Sequence, residues 1–322
     1  LSSPDRPAVV LAVPPLQAAR LDAPAEWRSI EFISDLHLCA ELPRTAAAVL
    51  SHLRHSTADA IFLLGDIFEA WVGDDMAEAH HRTDATASAD GNTASFEHDF
   101  SLSLAELART RWIGFMVGNR DFLVGPRWLA NCGLHAVADP TLLLLGEALA
   151  RQAVLLSHGD RLCLADADYQ RFRVQVRSAE WQQAFLARPL PERLALARQM
   201  RQASQLRQAA VRQQARSDRT ADPLPPAASP AAGTGVSADP LAGLYADVDH
   251  AAALAWLREA DATTLLHGHT HRPGRHVLAG GSPELQRLVL SDWDLDHAEP
   301  SRAEVLRLDD QGWQRLAPCH AD

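Results

Sequence analysis

Five times along this chain a short apolar run gives way, usually through a small residue, to a side chain able to bind a metal. Ser29–Ser34 (SIEFIS) stops at Asp35, Ala60–Leu64 (AIFLL) at Gly65-Asp66, and Trp112–Val117 (WIGFMV) at Gly118-Asn119. Ala153–Ser157 (AVLLS) stops at His158, and Thr263–Leu266 (TTLL) at His267. Runs of this length and composition read as buried strands. Between most of them lie Ala- and Leu-rich segments of helical character, such as Thr45–Arg54 and Leu102–Thr110. Strands alternating with helices predict an α/β architecture, whose strand ends bring their ligands to one edge.

The residues at those ends form five motifs: Asp35-Leu36-His37, Gly65-Asp66, Gly118-Asn119-Arg120-Asp121, Ser157-His158-Gly159-Asp160 and Gly268-His269-Thr270-His271. The candidate donors are Asp35, His37, Asp66, Asn119, His158, His269 and His271. Imidazole nitrogen mixed with carboxylate and amide oxygen suits Mn²⁺, Fe²⁺ or Zn²⁺ and argues against Ca²⁺. Seven donors exceed the needs of one first-row ion and suffice for two ions sharing a carboxylate. Two such ions would clamp a phosphate and activate water. In extended backbone, residues i and i+2 point the same way, so Asp-x-His and His-x-His are expected to present both side chains to one site. Each motif alone is weak, because a lone Gly-Asp is commonly a turn; five in order, each after a strand, are specific.

The chain's 322 residues suffice for a large core. Residues 1–27, rich in Pro and Ala, are expected to form a loose extension, and residues 28–322 a single domain. The stretches 83–95 and 218–243 read as flexible insertions. Between the fourth and fifth strands, residues 167–217 are helical and basic, broken by Pro189 and Pro191, and are expected to form a cap over the site. From Tyr169 to Arg219 there are eleven Arg against Glu180, Glu192 and Asp218, within a chain of net charge −11. An acidic body with one basic insert predicts a local anionic partner and argues against nucleic acid. The cap's Trp181, Phe185, Leu186, Leu190 and Leu194 are candidates to line an apolar groove. Four dispersed cysteines without a C-x-x-C fit a reducing compartment. No apolar run approaches the ~20 residues of a spanning helix. Ala8–Val13 is short and runs into Pro14-Pro15, which argues against a leader peptide, so a cytoplasmic location is expected. His52, His55, His80, His81 and His98 read as surface residues, and His267 as a support for the ligands.

The five motifs resemble those of the calcineurin-like metallophosphoesterases, a resemblance that implies a two-sheet βαβ sandwich flanked by helices. It also implies that Asp35, His37 and His271 hold one metal, that Asn119, His158 and His269 hold a second, and that Asp66 bridges them. That superfamily carries Gly-Asn-His-Asp/Glu at the third motif, where this chain has Arg120. An Arg cannot serve as a general acid near neutral pH but can hold a phosphate bidentately.

ISDLHL, GDIFEAWVGDD, GNRDF, HGDRLC, Tyr169-Gln170-x-Phe172-Arg173 and HGHTHRP are more narrowly similar to the UDP-2,3-diacylglucosamine pyrophosphatases of lipid A synthesis. The similarity runs from about Ser29 to Asp292. It implies two Mn²⁺ ions, water attack at the α-phosphate, and release of UMP and 2,3-diacylglucosamine 1-phosphate. By the same resemblance the catalytic residues are Asp66, Asn119, Arg120 and His269. Substrate contacts fall to Asn119 and Arg120 on phosphate, Asp166 on glucosamine, His269, and Ser204 and Gln208 in the cap. Gln208 stands where the family has Asn and Val211 where it has Lys; Arg207 or Arg212 would have to replace the lost cation. An acylated UDP-sugar as substrate implies a peripheral place at the cytoplasmic face of the inner membrane, with no protein partner expected. Two other readings remain open: a calcineurin-like phosphoesterase acting on soluble nucleotides or phosphoproteins, which the Arg120 motif and long cap disfavour, and a non-catalytic binding scaffold, which would be expected to lose ligands.

Overall fold

The apolar runs become strands because both of their faces are covered. A computed structural model describes residues 11–78, 95–200, 202 and 246–319. Among these, twelve strands form two six-stranded sheets. The first is built on three parallel strands, β2 (Ile30–Ile33), β3 (Ala60–Leu64) and β4 (Trp112–Met116), with short β5 (His135–Ala136) beyond β4. Antiparallel β11 (Val305–Asp309) and β12 (Gly312–Leu316) complete its other side. The second sheet runs β1 (Ala19–Asp22), β6 (Thr141–Leu144), β7 (Ala153–Leu156), β8 (Thr264–His267), β10 (Leu285–Val289) and β9 (Gly274–Ala279).

Alternation along each strand divides the apolar residues between two layers. On β3, Ala60, Phe62 and Leu64 face the other sheet and meet Val154 and Leu156 of β7 and Leu266 of β8. Ile61 and Leu63 face outward, toward α1 (Pro43–His55), α2 (Phe96–Ala108) and α3 (Pro126–Cys132). Leu155 and Leu265 on the second sheet face α7 (His250–Glu259), whose Trp256 and Leu257 are fully buried. Side-chain oxygens satisfy the helix starts: Ser95 accepts from the His98 amide, Asp249 from that of Ala252, and distant Asp296 from those of Arg44 and Thr45.

From residue 11 onward the N-terminal segment departs from the expected loose extension, and residues 1–10 lie outside the described residues. Residues 19–22 pair in parallel with β6, Trp256 Nε1 donates to the Pro14 carbonyl at 2.7 Å, and Trp27 is buried against Phe62 and Trp112. After β7 come α4 (Ala167–Val176), α5 (Ala179–Leu186) and α6 (residues 190–200). Residues 203–217 of the expected cap, the 218–243 insertion and all of 83–95 except Ser95 lie outside the described residues.

Candidate metal centre and active site

In-register pairing brings the motif loops to one end of the sandwich. Ile33 pairs with Leu63 and Leu63 with Phe115, so β2, β3 and β4 end together; Leu156 and Leu266 do the same on the facing sheet. The first two loops then run side by side: the Asp35 amide donates to the Gly65 carbonyl and the His37 amide to that of Asp66, both at 3.0 Å. The ligand backbone is not the extended chain expected of Asp-x-His and His-x-His. Asp35, His37, Asp66, His269 and His271 have φ of 55°, 48°, 55°, 64° and 51°. Convergence of i and i+2 therefore comes from left-handed turns, a conformation that ordinary residues adopt at a cost. Two glycines permit the close approach: a Cβ on Gly118 would sit 2.2 Å from Asp66 Oδ1, and one on Gly268 would sit 2.2 Å from Asp35 Oδ2.

These turns, with the loops that carry Asn119 and His158, gather all seven candidate donors. Asp35, His37 and His271 offer ligand atoms within 4.8 Å of one another, as do Asp35, Asp66 and His158. His37 Nε2 and His271 Nε2 are 3.3 Å apart, and His271 Nε2 is 3.4 Å from Asp35 Oδ1. Asn119 Oδ1 lies 3.0 Å from His158 Nε2 and 2.8 Å from His269 Nδ1. Asp66 Oδ1 is 3.6 Å from His158 Nε2 and accepts the Arg120 amide at 2.8 Å. Asp35 is the carboxylate common to both groups, although the resemblance gives the bridge to Asp66. Four imidazoles, two carboxylates and a carboxamide, turned inward at this spacing, fit divalent first-row ions.

The electrostatics follow from burial and close pairing. Burial alone would raise Asp35, but its hydrogen bond with His271 and the neighbouring imidazoles hold it below the usual carboxylate range. Burial would lower His158, yet Asp66, Asp35 and Asp160 raise it to about 9. Burial and the adjacent His158 push His269 down to about 4.

Residues beyond the seven orient them. Asp121, fully buried, accepts the Gly118 amide at 2.6 Å and the Ile67 amide at 2.8 Å, fastening the Asn119 loop to the Asp66 loop. Glu69 Oε2 lies 2.9 Å from His37 Nδ1, and Asp292 Oδ2 is 3.7 Å from His271 Nδ1. His158 Nδ1 faces the Leu64 carbonyl at 3.1 Å. The Leu64 carbonyl fixes the tautomer and direction of His158, while Glu69 and Asp292 stand as charged neighbours of His37 and His271. Glu69, Asp121 and Asp160 were visible inside the motifs without a role, whereas Asp292 carried no signal of its own. His267 is buried with Nδ1 2.8 Å from the Gly268 carbonyl oxygen and belongs to neither donor group.

The remaining expectations divide. Arg120 Nε is buried without a hydrogen-bond partner among the described residues, and a buried guanidinium nitrogen left open beside the candidate metal donors suits an anionic ligand. Asp166 is exposed, and its carboxylate caps α4 by accepting the Tyr169 amide at 2.9 Å. Ser204, Gln208, Val211, Arg207 and Arg212 lie outside the described residues. Trp181, Phe185, Leu190 and Leu194, expected as groove lining, pack into the outer core of the first sheet instead. The exposed large apolar side chains of this region are Phe172, Val174, Leu186 and Met200. Asp74 accepts the Gly125 and Trp128 amides, and Asp75 pairs with buried Arg193, which ties α6 to the domain. His52, expected at the surface, is buried 3.0 Å from Glu31.

Known proteins bear on this arrangement directly. A UDP-2,3-diacylglucosamine hydrolase from Bordetella pertussis is 38% identical over 283 residues, covering 87% of this chain and 92% of that protein. The chain belongs to the UDP-2,3-diacylglucosamine hydrolase family. Members from Ralstonia nicotianae and Stenotrophomonas maltophilia are 40% and 35% identical, covering 87% and 88% of this chain and 88% and 95% of theirs. No protein-family model matches the chain. Its two six-stranded sheets form the helix-flanked two-sheet sandwich that the resemblance implied, with the motif loops at one end.

Proposed function

We propose that this chain hydrolyses the pyrophosphate of UDP-2,3-diacylglucosamine. Water adds to the α-phosphorus, the bond to the bridging oxygen breaks, and the products are UMP and 2,3-diacylglucosamine 1-phosphate. The observation that carries the reading is the unpartnered Arg120 Nε beside seven converged donors, in a chain of this family. Asp35, His37 and His271 would hold one ion and Asn119, His158 and His269 the other, with Asp66 between them; Mn²⁺ suits this donor set. When bound, the ions supply positive charge to the phosphate and acidity to water. Arg120 holds the phosphate oxygens, and its amide steadies Asp66 from behind. Asn119 and His269 stand together at 2.8 Å, where both would hold the metal and contact the substrate.

The α4–α6 region acts as a cap in this reading, with Asp166 at the start of α4 meeting the glucosamine and Ser204 and Gln208 completing the contact. Exposed Phe172, Leu186 and Met200 are apolar surface suited to an acylated molecule. No helix among the described residues is long and apolar enough to cross a membrane. A peripheral place on the cytoplasmic face of the inner membrane would give access to such a substrate.

The test is incubation of the purified protein with UDP-2,3-diacylglucosamine in detergent, with and without Mn²⁺, followed by assay of UMP. Mn²⁺-dependent release that EDTA removes is expected. No release by protein with confirmed bound metal would reject this substrate.

A further inference from the structure

The guanidinium of Arg177 sits at the end of α4, outside every motif at the strand ends, yet it touches two of their loops. Its Nη2 donates to the Gly118 carbonyl at 2.8 Å, one residue before Asn119 and two before Arg120. The same nitrogen is 3.9 Å from Asp160 Oδ2, two residues after His158. That carboxylate oxygen also accepts from the Tyr169 hydroxyl at 2.6 Å and from Arg173 Nε at 2.8 Å. Arg177 Cζ lies 5.3 Å from the ring centroid of Phe122, at the far end of the same turn. Trp181 of α5 packs on Phe122 with centroids 6.1 Å apart. The α4–α5 corner therefore grips residues 118–122 at both ends, by a carbonyl and by a ring.

We propose that Arg177 is a positioning residue that sets the Gly118-Asn119-Arg120 turn against the His158 loop. It touches no substrate; it acts through Asn119 and Arg120. The physical argument is one of rigidity. Gly118 lacks a side chain to brace its peptide, and its amide is already held by Asp121 on one side. Arg177 holds the carbonyl on the other, and its charge is fixed in direction by buried Asp160 and by the ring of Phe122. Without it the peptide plane is free to rotate, which would swing the carboxamide of Asn119 and the phosphate-binding fork of Arg120. Misplacement by about 1 Å can cost on the order of a hundredfold in rate.

The consequence for catalysis rests on the proposed pyrophosphate hydrolysis, and the test separates the two. Arg177→Met and Arg177→Lys are compared with the unaltered protein by hydrogen exchange of the 118–122 segment and by steady-state kinetics. Exchange is read at the Arg120 amide, which is bonded to Asp66. In Arg177→Met that exchange should accelerate locally, kcat should fall about tenfold and KM should move less than about threefold. Arg177→Lys, which keeps a donor and a charge, should recover most of both. Kinetics are run on UDP-2,3-diacylglucosamine and on bis(p-nitrophenyl) phosphate. Turnover of only the aryl ester by the unaltered protein would reject the substrate and leave the Arg177 comparison intact on that ester. Unchanged exchange at 118–122, an unchanged kcat, or faster exchange spread over the whole domain with a matching loss of Tm would overturn the positioning role.

Discussion

The carboxamide oxygen of Asn119 meets His269 Nδ1 at 2.8 Å across 150 residues of sequence, each side chain rising from a different sheet. Replacing Asn119 by Ala removes an oxygen donor from the second candidate ion site while leaving the first group whole. If the protein holds two ions as proposed, bound metal should fall toward one, and UMP release should drop at least about a hundredfold. Metal analysis of the desalted variant beside an activity assay checks this; two retained ions would remove Asn119 from the ligand set.

Asp35 and Asp66 compete for the role of bridge, and substitution distinguishes them. Asp35 is common to both donor groups, whereas Asp66 is the bridge by resemblance. If Asp66 bridges, Asp66→Ala should release both ions and nearly abolish turnover, while Asp35→Ala should retain one ion. The reverse stoichiometry would transfer the bridge to Asp35. His158→Ala should nearly abolish turnover in either case.

Arg120→Ala should lower kcat by about ten- to a hundredfold while both metals stay bound, because a phosphate clamp acts on the reacting group and not on the ions. Loss of the metals from this variant would show that Arg120 holds the site together and does not serve as a clamp.

Away from the cleft, Glu31 gives the fold an acid-sensitive point. Its carboxylate accepts from the Ser56 hydroxyl at 2.6 Å and lies 3.0 Å from His52 Nε2. Burial would raise it, but these partners and Arg307 hold it below its ordinary 4.5. A carboxyl lowered on folding adds stability above its unfolded value, and that stability drains away as pH falls through the folded value. Wild-type urea midpoints, measured in chelator, should therefore decline below about pH 4.5 more steeply than those of Glu31→Gln. Parallel profiles would remove Glu31 as a contributor.

Much of this was legible where both faces of an element are buried. AIFLL marks β3 without error because Phe62 fills the space between the sheets while Ile61 and Leu63 face helices. Strands such as β1 (ARLD) and β12 (GWQRL) lie at sheet edges and carry mixed, partly exposed residues, so no apolar run announces them. The donors were readable from their place after strands, but the left-handed turns that aim them were not. Period-two reasoning assumes extended backbone, and Asp35 and His37 adopt it at neither position. Glu69 stood inside GDIFEAWVGDD with no role given to it, and Asp292 escaped notice because an acid beside a histidine looks, in sequence, like any other acid. His52 looked solvated for the same reason: its partner Glu31 lies 21 residues away inside a strand.

The division of the donors between two sheets has a consequence for how activity arises during folding. Asp35, His37, Asp66 and Asn119 follow strands of one sheet, while His158, His269 and His271 follow strands of the other. A molecule with either sheet formed alone would carry an incomplete donor set and no cleft. Catalytic competence in the proposed function thus requires both halves to have closed on each other, and it serves as a reporter of complete assembly.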